Sequence, residues 1–115
     1  MHLSAALCPG CGRRILFDDT VTDYFCQYCS GETDFSRLER LRTDGDRELD
    51  PLVEGIYNAY GEKDDAKVLA LCEDILSADP FNSIAWYYSG LSRILTGDAR
   101  TGLCDWLNLA YLMHD

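Results

Sequence analysis

The chain has 115 residues, 47% apolar and 26% charged, with a formal net charge of −10. That is the make-up of one ordinary folded domain or two small ones. No run approaches the ~18 apolar residues of a membrane span, and the start MHLSAALCPGCG lacks the basic and apolar regions of a secretory signal. Acidity is uneven: residues 1–36 carry net −3, residues 37–48 net zero and residues 49–115 net −7. Nucleic-acid binding runs on Lys and Arg displacing counterions from phosphates. Arg37, Arg40, Arg42 and Arg47 are the one basic cluster, and acids interleave them, so direct nucleic-acid contact is disfavoured. A cytoplasmic location is the expectation, and a reducing compartment suits chemistry built on free thiols.

Residues 1–34 carry four of the six cysteines, spaced Cys-x2-Cys-x14-Cys-x2-Cys. That is one residue short of the x15–20 template for a four-cysteine zinc site. In Cys8-Pro9-Gly10-Cys11-Gly12 the glycines permit a tight turn that aims two sulfurs at one point, and Cys26-Gln27-Tyr28-Cys29-Ser30-Gly31 repeats it more loosely. Between them Arg14-Ile15-Leu16-Phe17 and Thr22-Asp23-Tyr24-Phe25 read as two strands joined through residues 18–21, a hairpin that returns the second pair to the first. So short a segment buries too little surface to fold alone. One metal ion held by Cys8, Cys11, Cys26 and Cys29 supplies the missing free energy, because it binds only the folded arrangement. Four thiolates also fill the site and leave no open position for water or substrate. The competing occupant is iron, as an electron carrier; a dithiol redox centre would need a βαβ setting that is absent here. CPGCG…FCQYCSG resembles a zinc ribbon of the rubredoxin-like knuckle type. The resemblance implies structural zinc and says almost nothing about process.

Residues 35–49 form a charged linker in which Leu38 and Leu41 would share one face of a short helix, broken at Asp44-Gly45-Asp46. Residues 50–115 have helical period. Asp50 as cap with Pro51 at the first position starts a helix carrying Leu52, Val53, Ile56, Tyr57 and Tyr60, and Gly61 ends it. A second runs from about Asp64 to Ser77, with Val68, Leu69, Cys72, Ile75 and Leu76 on one face. Asn82 or Ser83 caps a third, with Ile84, Tyr87, Tyr88, Leu91, Ile94 and Leu95 among its apolar positions. Gly97 closes it, and Asp98 caps a fourth with Leu103, Trp106, Leu107, Ala110 and Met113 directed inward. Short loops make successive helices antiparallel neighbours. The fold class is therefore mainly α with a small β zinc ribbon.

The segment ILSADPFNSIAWYYSGLSRILTGDARTGLCDWLNLAYL resembles a tetratricopeptide repeat, a 34-residue helical hairpin. Asp79-Pro80 and Asn82 make the junction, Gly90 follows Trp86 by four residues, Gly97-Asp98 is the inner turn, and Gly102 and Trp106 stand at the small and aromatic positions. Arg93 departs from the pattern by replacing an aromatic residue. The preceding hairpin matches only in its second helix. Ribbon followed by such helices is similar to a group of small, mostly uncharacterised bacterial proteins, in which more chain often follows the repeats. The chain is accordingly expected to be a fragment or to pair with itself.

In the tetratricopeptide family the first helix of each pair lines a concave face. Carried onto this chain, that face is Val53, Tyr57, Tyr60, Ile84, Tyr87, Leu91 and Leu95. It reads either as a site for a protein partner or as core covered by the ribbon, the linker or further chain. Cys72 and Cys104 read as small buried hydrophobes. His2 and His114 lie at the ends and are not needed as ligands. Asp18, Asp19, Asp64 and Asp65 belong to turns and caps. No catalytic set can be assembled, so the expected function is a non-enzymatic interaction or scaffold module with structural zinc. The alternative is an accessory factor in transcription or translation whose ribbon contacts polymerase or nucleic acid.

Overall fold

The computed structural model describes residues 3–18, 20, 23–34 and 38–114. His2, Asp19, Val21, Thr22, residues 35–37 and the side chain of His114 lie outside the described residues. The described residues form four short strands and then four helices, so the fold is mainly α with a small β element at the N-terminal end.

Strands β1 (Leu3–Leu7) and β2 (Arg14–Asp18) pair antiparallel, Ala5 opposite Leu16 and Leu7 opposite Arg14; β3 (Asp23–Phe25) and β4 (Glu32–Asp34) pair separately, Tyr24 opposite Thr33. This corrects the expected hairpin between residues 14–17 and 22–25. Each cysteine pair instead sits in the turn of its own hairpin, which closes over a few residues rather than across the whole segment and so costs less chain entropy. The partner strands escape a sequence reading because Leu-Ser-Ala-Ala-Leu has weak strand propensity and Glu-Thr-Asp is barely a strand.

Helix α1 spans Asp50–Gly61, α2 Asp65–Ala78, α3 Ser83–Leu95 and α4 Ala99–His114. Asp64 and Asn82 cap α2 and α3 by accepting from Lys67 N–H at 3.2 Å and Ala85 N–H at 3.0 Å, and Asp98 accepts from Thr101 N–H at 3.4 Å. Asp50 is not a cap: Leu49 holds that position and Asp50 lies within the first turn beside Pro51, where its charge still favours the helix N-terminus. Residues 38–49 contain no helix. They form a strap, with Leu41 N–H donating to the Ala5 carbonyl at 2.8 Å and Asp44 N–H to the Ala78 carbonyl at 2.6 Å.

The larger correction concerns α4. Leu103, Leu107 and Met113, expected inward, are 54%, 51% and 77% exposed, whereas Gly102, Cys104, Asp105 and Asn108 are buried. Helix α4 turns a polar face to the core because its neighbours there are backbone and polar groups of the ribbon. Asn108 accepts from Leu16 N–H at 3.0 Å on the outer edge of β2, while the Leu41 bond meets the outer edge of β1. Both open edges of the two-stranded sheet are thereby covered. That sheet is buried on both faces. Ala5 and Leu16 pack with Ile56, Val68, Cys72, Ile75 and Trp86, while Ala6, Ile15 and Phe17 pack with Cys8, Cys26, Tyr28 and Cys104. The ribbon and the helices thus share a core. Helices α3 and α4 approach closely where Gly90 meets Gly102: a Cβ on Gly102 would lie 2.6 Å from the Gly90 carbonyl oxygen.

Candidate metal centre and surrounding faces

The two knuckles are built alike. In the first, Cys8 N–H donates to the Arg13 carbonyl at 2.9 Å and Gly12 N–H to the Cys8 carbonyl at 2.7 Å; in the second, Cys26 N–H donates to Gly31 at 2.9 Å and Ser30 N–H to Cys26 at 2.8 Å. The fifth residue of each is left-handed, Gly12 at φ 74° and Ser30 at φ 63°. Only one knuckle uses the residue that adopts this conformation without strain.

The four sulfurs of Cys8, Cys11, Cys26 and Cys29 all lie within 4.8 Å of one another. Cys8 and Cys29 are 3.6 Å apart, and Cys11 and Cys26 3.8 Å. A tetrahedral ion with metal–sulfur bonds of ~2.3 Å needs sulfur–sulfur edges of about 3.8 Å. The donor set therefore fits a zinc-sized ion, which would crosslink the two hairpins. Backbone N–H groups work against burial at these sulfurs, with different outcomes. Burial alone would raise the Cys8 thiol, but N–H groups of Cys11 and Gly10 and the thiols of Cys26 and Cys29 outweigh it and pull it down to about 7. At Cys26 burial wins, and the thiol is pushed up to about 12 despite N–H groups of Cys29 and Tyr28. Burial also raises Cys11. Cys72 and Cys104 are buried elsewhere, the first packed among helices and pushed up to about 12 by burial.

The second knuckle is bolted to the helices. Tyr28 donates its hydroxyl to Asp105 at 2.5 Å and accepts from Asn108 at 2.9 Å; Gln27 donates to Asn108 at 3.0 Å; Cys104 donates to the Gln27 carbonyl at 3.2 Å; Arg100 donates to the Tyr28 carbonyl at 3.0 Å. Asp105, 3% exposed, also accepts from Ser89 at 2.7 Å and Arg93 at 3.1 Å. Burial and this carboxylate together push the Tyr28 hydroxyl well above the usual tyrosine range. Arg93, which stands where the resembled repeat has an aromatic residue, here pairs with a buried acid on the next helix. Sequence reasoning missed Asp105 and Asn108 because polar residues on a helix are normally assigned to solvent.

Of the seven residues of the expected concave face, Tyr57, Tyr60, Tyr87 and Leu95 are 39–60% exposed with the ribbon and strap in place; Val53, Ile84 and Leu91 are half-buried. Tyr88, outside that set, sits at the centre. Its ring meets Tyr57 at 5.7 Å, Tyr60 at 5.4 Å and Tyr87 at 5.1 Å, all edge-on, and Tyr87 stacks on Trp106 at 6.0 Å. A continuous aromatic surface therefore runs from α1 across α3 to α4. No helix among the described residues is long and apolar enough to cross a membrane.

No family model matches the sequence, and neither does any curated protein or solved structure.

Proposed function

We propose that this chain is a non-enzymatic interaction module in which a structural zinc ion, held by Cys8, Cys11, Cys26 and Cys29, fixes a ribbon against tetratricopeptide-like helices that present an aromatic face to a protein partner. The observation that carries the proposal is the ladder of exposed Tyr57, Tyr60 and Tyr87 around Tyr88, extended by half-buried Trp106 stacked on Tyr87. Contiguous exposed aromatic surface is uncommon on a solitary domain and is typical of docking sites. The zinc supplies crosslinking alone, since four thiolates leave no position for substrate.

The alternative, a ribbon that contacts polymerase or nucleic acid, has little charge to offer phosphates: of the two arginines in residues 1–34, Arg14 is paired with Glu73 at 3.0 Å, which leaves Arg13. A titration across salt separates the readings, because nucleic-acid affinity falls steeply with ionic strength. Tyr87→Asp tests the docking face directly. Tyr87 is 43% exposed, so the variant should melt within a few degrees of the parent yet lose the co-purifying protein or self-association. A large loss of melting temperature with association intact would show that Tyr87 is structural and refute the docking role.

A further inference from the structure

A crevice of about 360 Å³ opens between the first knuckle and the helices, away from the tyrosine ladder. Three guanidinium groups line it, and they are not equally occupied. Arg14 gives both terminal nitrogens to Glu73, at 3.0 and 3.2 Å. Arg93 gives only Nε to Asp105, whose two oxygens are otherwise taken by Tyr28 and Ser89. Its terminal nitrogens make no hydrogen bond to any described residue. Arg13 lies over the Tyr28 ring at 5.3 Å and has no acidic partner among the described residues.

Both acids of the crevice, Glu73 and Asp105, are therefore matched, while two guanidinium groups keep donors to spend. Among the side chains that line the crevice, three cations meet two carboxylates, in a chain whose net charge is −10. Buried Trp86 and Leu76 supply an apolar wall. Guanidinium forks bind planar or tetrahedral oxyanions through paired hydrogen bonds, and the volume lies at the small end of the ~300–1,000 Å³ range of ligand sites.

We infer that this crevice binds a small organic oxyanion, a carboxylate or phosphate monoester with a compact apolar body, held between Arg13 and Arg93 with its apolar part toward Trp86. Arg13 comes from the ribbon and Arg93 from α3, so the site is complete only while the ribbon is seated.

The test uses the zinc-loaded full chain at constant ionic strength, reading the arginine Nε–H resonances of Arg13 and Arg93 by NMR. Benzoate, phenyl phosphate and inorganic phosphate are the anionic probes, with benzamide as the neutral control. Benzoate or phenyl phosphate should shift both resonances saturably, and the stronger of the two identifies the oxyanion. Arg13→Gln, at an exposed position, should weaken binding at least about tenfold, the loss of one charged contact worth about 1.4 kcal/mol, with the melting temperature unchanged. Arg93→Lys, which keeps a cation beside Asp105 but loses the fork, should weaken it as well. No saturable shift up to about ten millimolar, beyond the weak end of specific binding, overturns the inference. So does equal binding of benzamide, or undiminished binding by Arg13→Gln.

Discussion

Exchanging the characters of two neighbouring residues on α4 gives a decisive experiment. An apolar stripe read from sequence puts Leu107 inside and leaves Asn108 outside; in the structure Leu107 is 51% exposed and Asn108 is fully buried. Asn108 makes three hydrogen bonds: it accepts from Leu16 N–H and Gln27 and donates to Tyr28. In Asn108→Leu the wholly buried Leu16 N–H is orphaned, at about 1–3 kcal/mol, and the Tyr28 oxygen loses its donor, at about 1 kcal/mol. Gln27 is half-buried and can turn to water. The larger apolar side chain returns roughly 1 kcal/mol by burial, and its branched shape in a site built for an amide costs a similar amount. The net loss is about 2–4 kcal/mol. Leu107→Asn gives up only half of one side chain's burial and some helix propensity, about 1 kcal/mol. With a urea dependence of about 2 kcal/mol/M, the unfolding midpoint should fall by ~1–2 M in Asn108→Leu and by about 0.5 M in Leu107→Asn. Equilibrium urea unfolding of the zinc-loaded chain, followed by circular dichroism, measures both. If Leu107→Asn proves the more damaging, or Asn108→Leu stabilises, the assignment of the polar face to the core is wrong.

Three further outcomes are expected. A ribbon that folded by itself would leave the helices intact when metal is lost; here Ala5 and Leu16 belong to the helical core, so chelation or Cys11→Ser should lower the helical signal and melting temperature as well as unfolding the ribbon, and an unchanged helical melt would refute the coupling. Metal uptake requires thiolates, and the metal-free thiols of Cys11 and Cys26 are both raised, so both are protonated at neutral pH and binding must expel at least these two protons; apparent zinc affinity should therefore fall at least about a hundredfold per pH unit, and more steeply toward 6 as Cys8, at about 7, takes up a third proton, and a pH-independent competition titration would contradict it. Gly102→Ala places a Cβ 2.6 Å from the Gly90 carbonyl and 2.8 Å from Ile94; despite the better helix propensity of alanine it should cost about 1–3 kcal/mol by thermal melt, and a more stable variant would show that the two helices can part cheaply.

Much of this was legible in the chain. The metal set is local, with spacing that puts each cysteine pair in a tight turn, and the four sulfurs meet as expected. Helix limits followed from Asp64, Asn82, Gly97 and Asp98, because caps act within one turn and need no tertiary information. What failed was non-local. Residues 3–7 became a strand because Ile15-Leu16-Phe17 required a partner on one side, a demand invisible in Leu-Ser-Ala-Ala-Leu. The inward face of α4 was misassigned because the stripe rule takes the core to be apolar, whereas the surface meeting α4 carries the Leu16 N–H, the Tyr28 hydroxyl and the carbonyls of Gln27 and Tyr28. The proposed partner face was half legible: Tyr57, Tyr60 and Tyr87 are exposed, whereas Tyr88, on which their rings converge, counted among the apolar positions of the third helix but not among those of the concave face.

The polar seat has a consequence for how the proposed module works. An apolar interface between ribbon and helices would tolerate sliding, because apolar contacts are non-directional. The network Tyr28–Asp105–Ser89–Arg93, extended through Asn108 to Gln27 and Leu16, accepts only one placement, since any shift leaves a buried donor or carboxylate unpaired at a cost of about 1–3 kcal/mol each. Tyr28 and Gln27 lie between Cys26 and Cys29 of the candidate metal centre, so an ion bound there would set the knuckle and with it the position of these bonds. Asp105 and Asn108 in turn fix the rotation of α4, and the rotation of α4 places Trp106 against Tyr87. A bound zinc would thus reach the aromatic face through the orientation of a single helix, and Tyr28→Phe, which breaks the first link while leaving every thiolate in place, should disturb the Tyr87–Trp106 stack without releasing the metal.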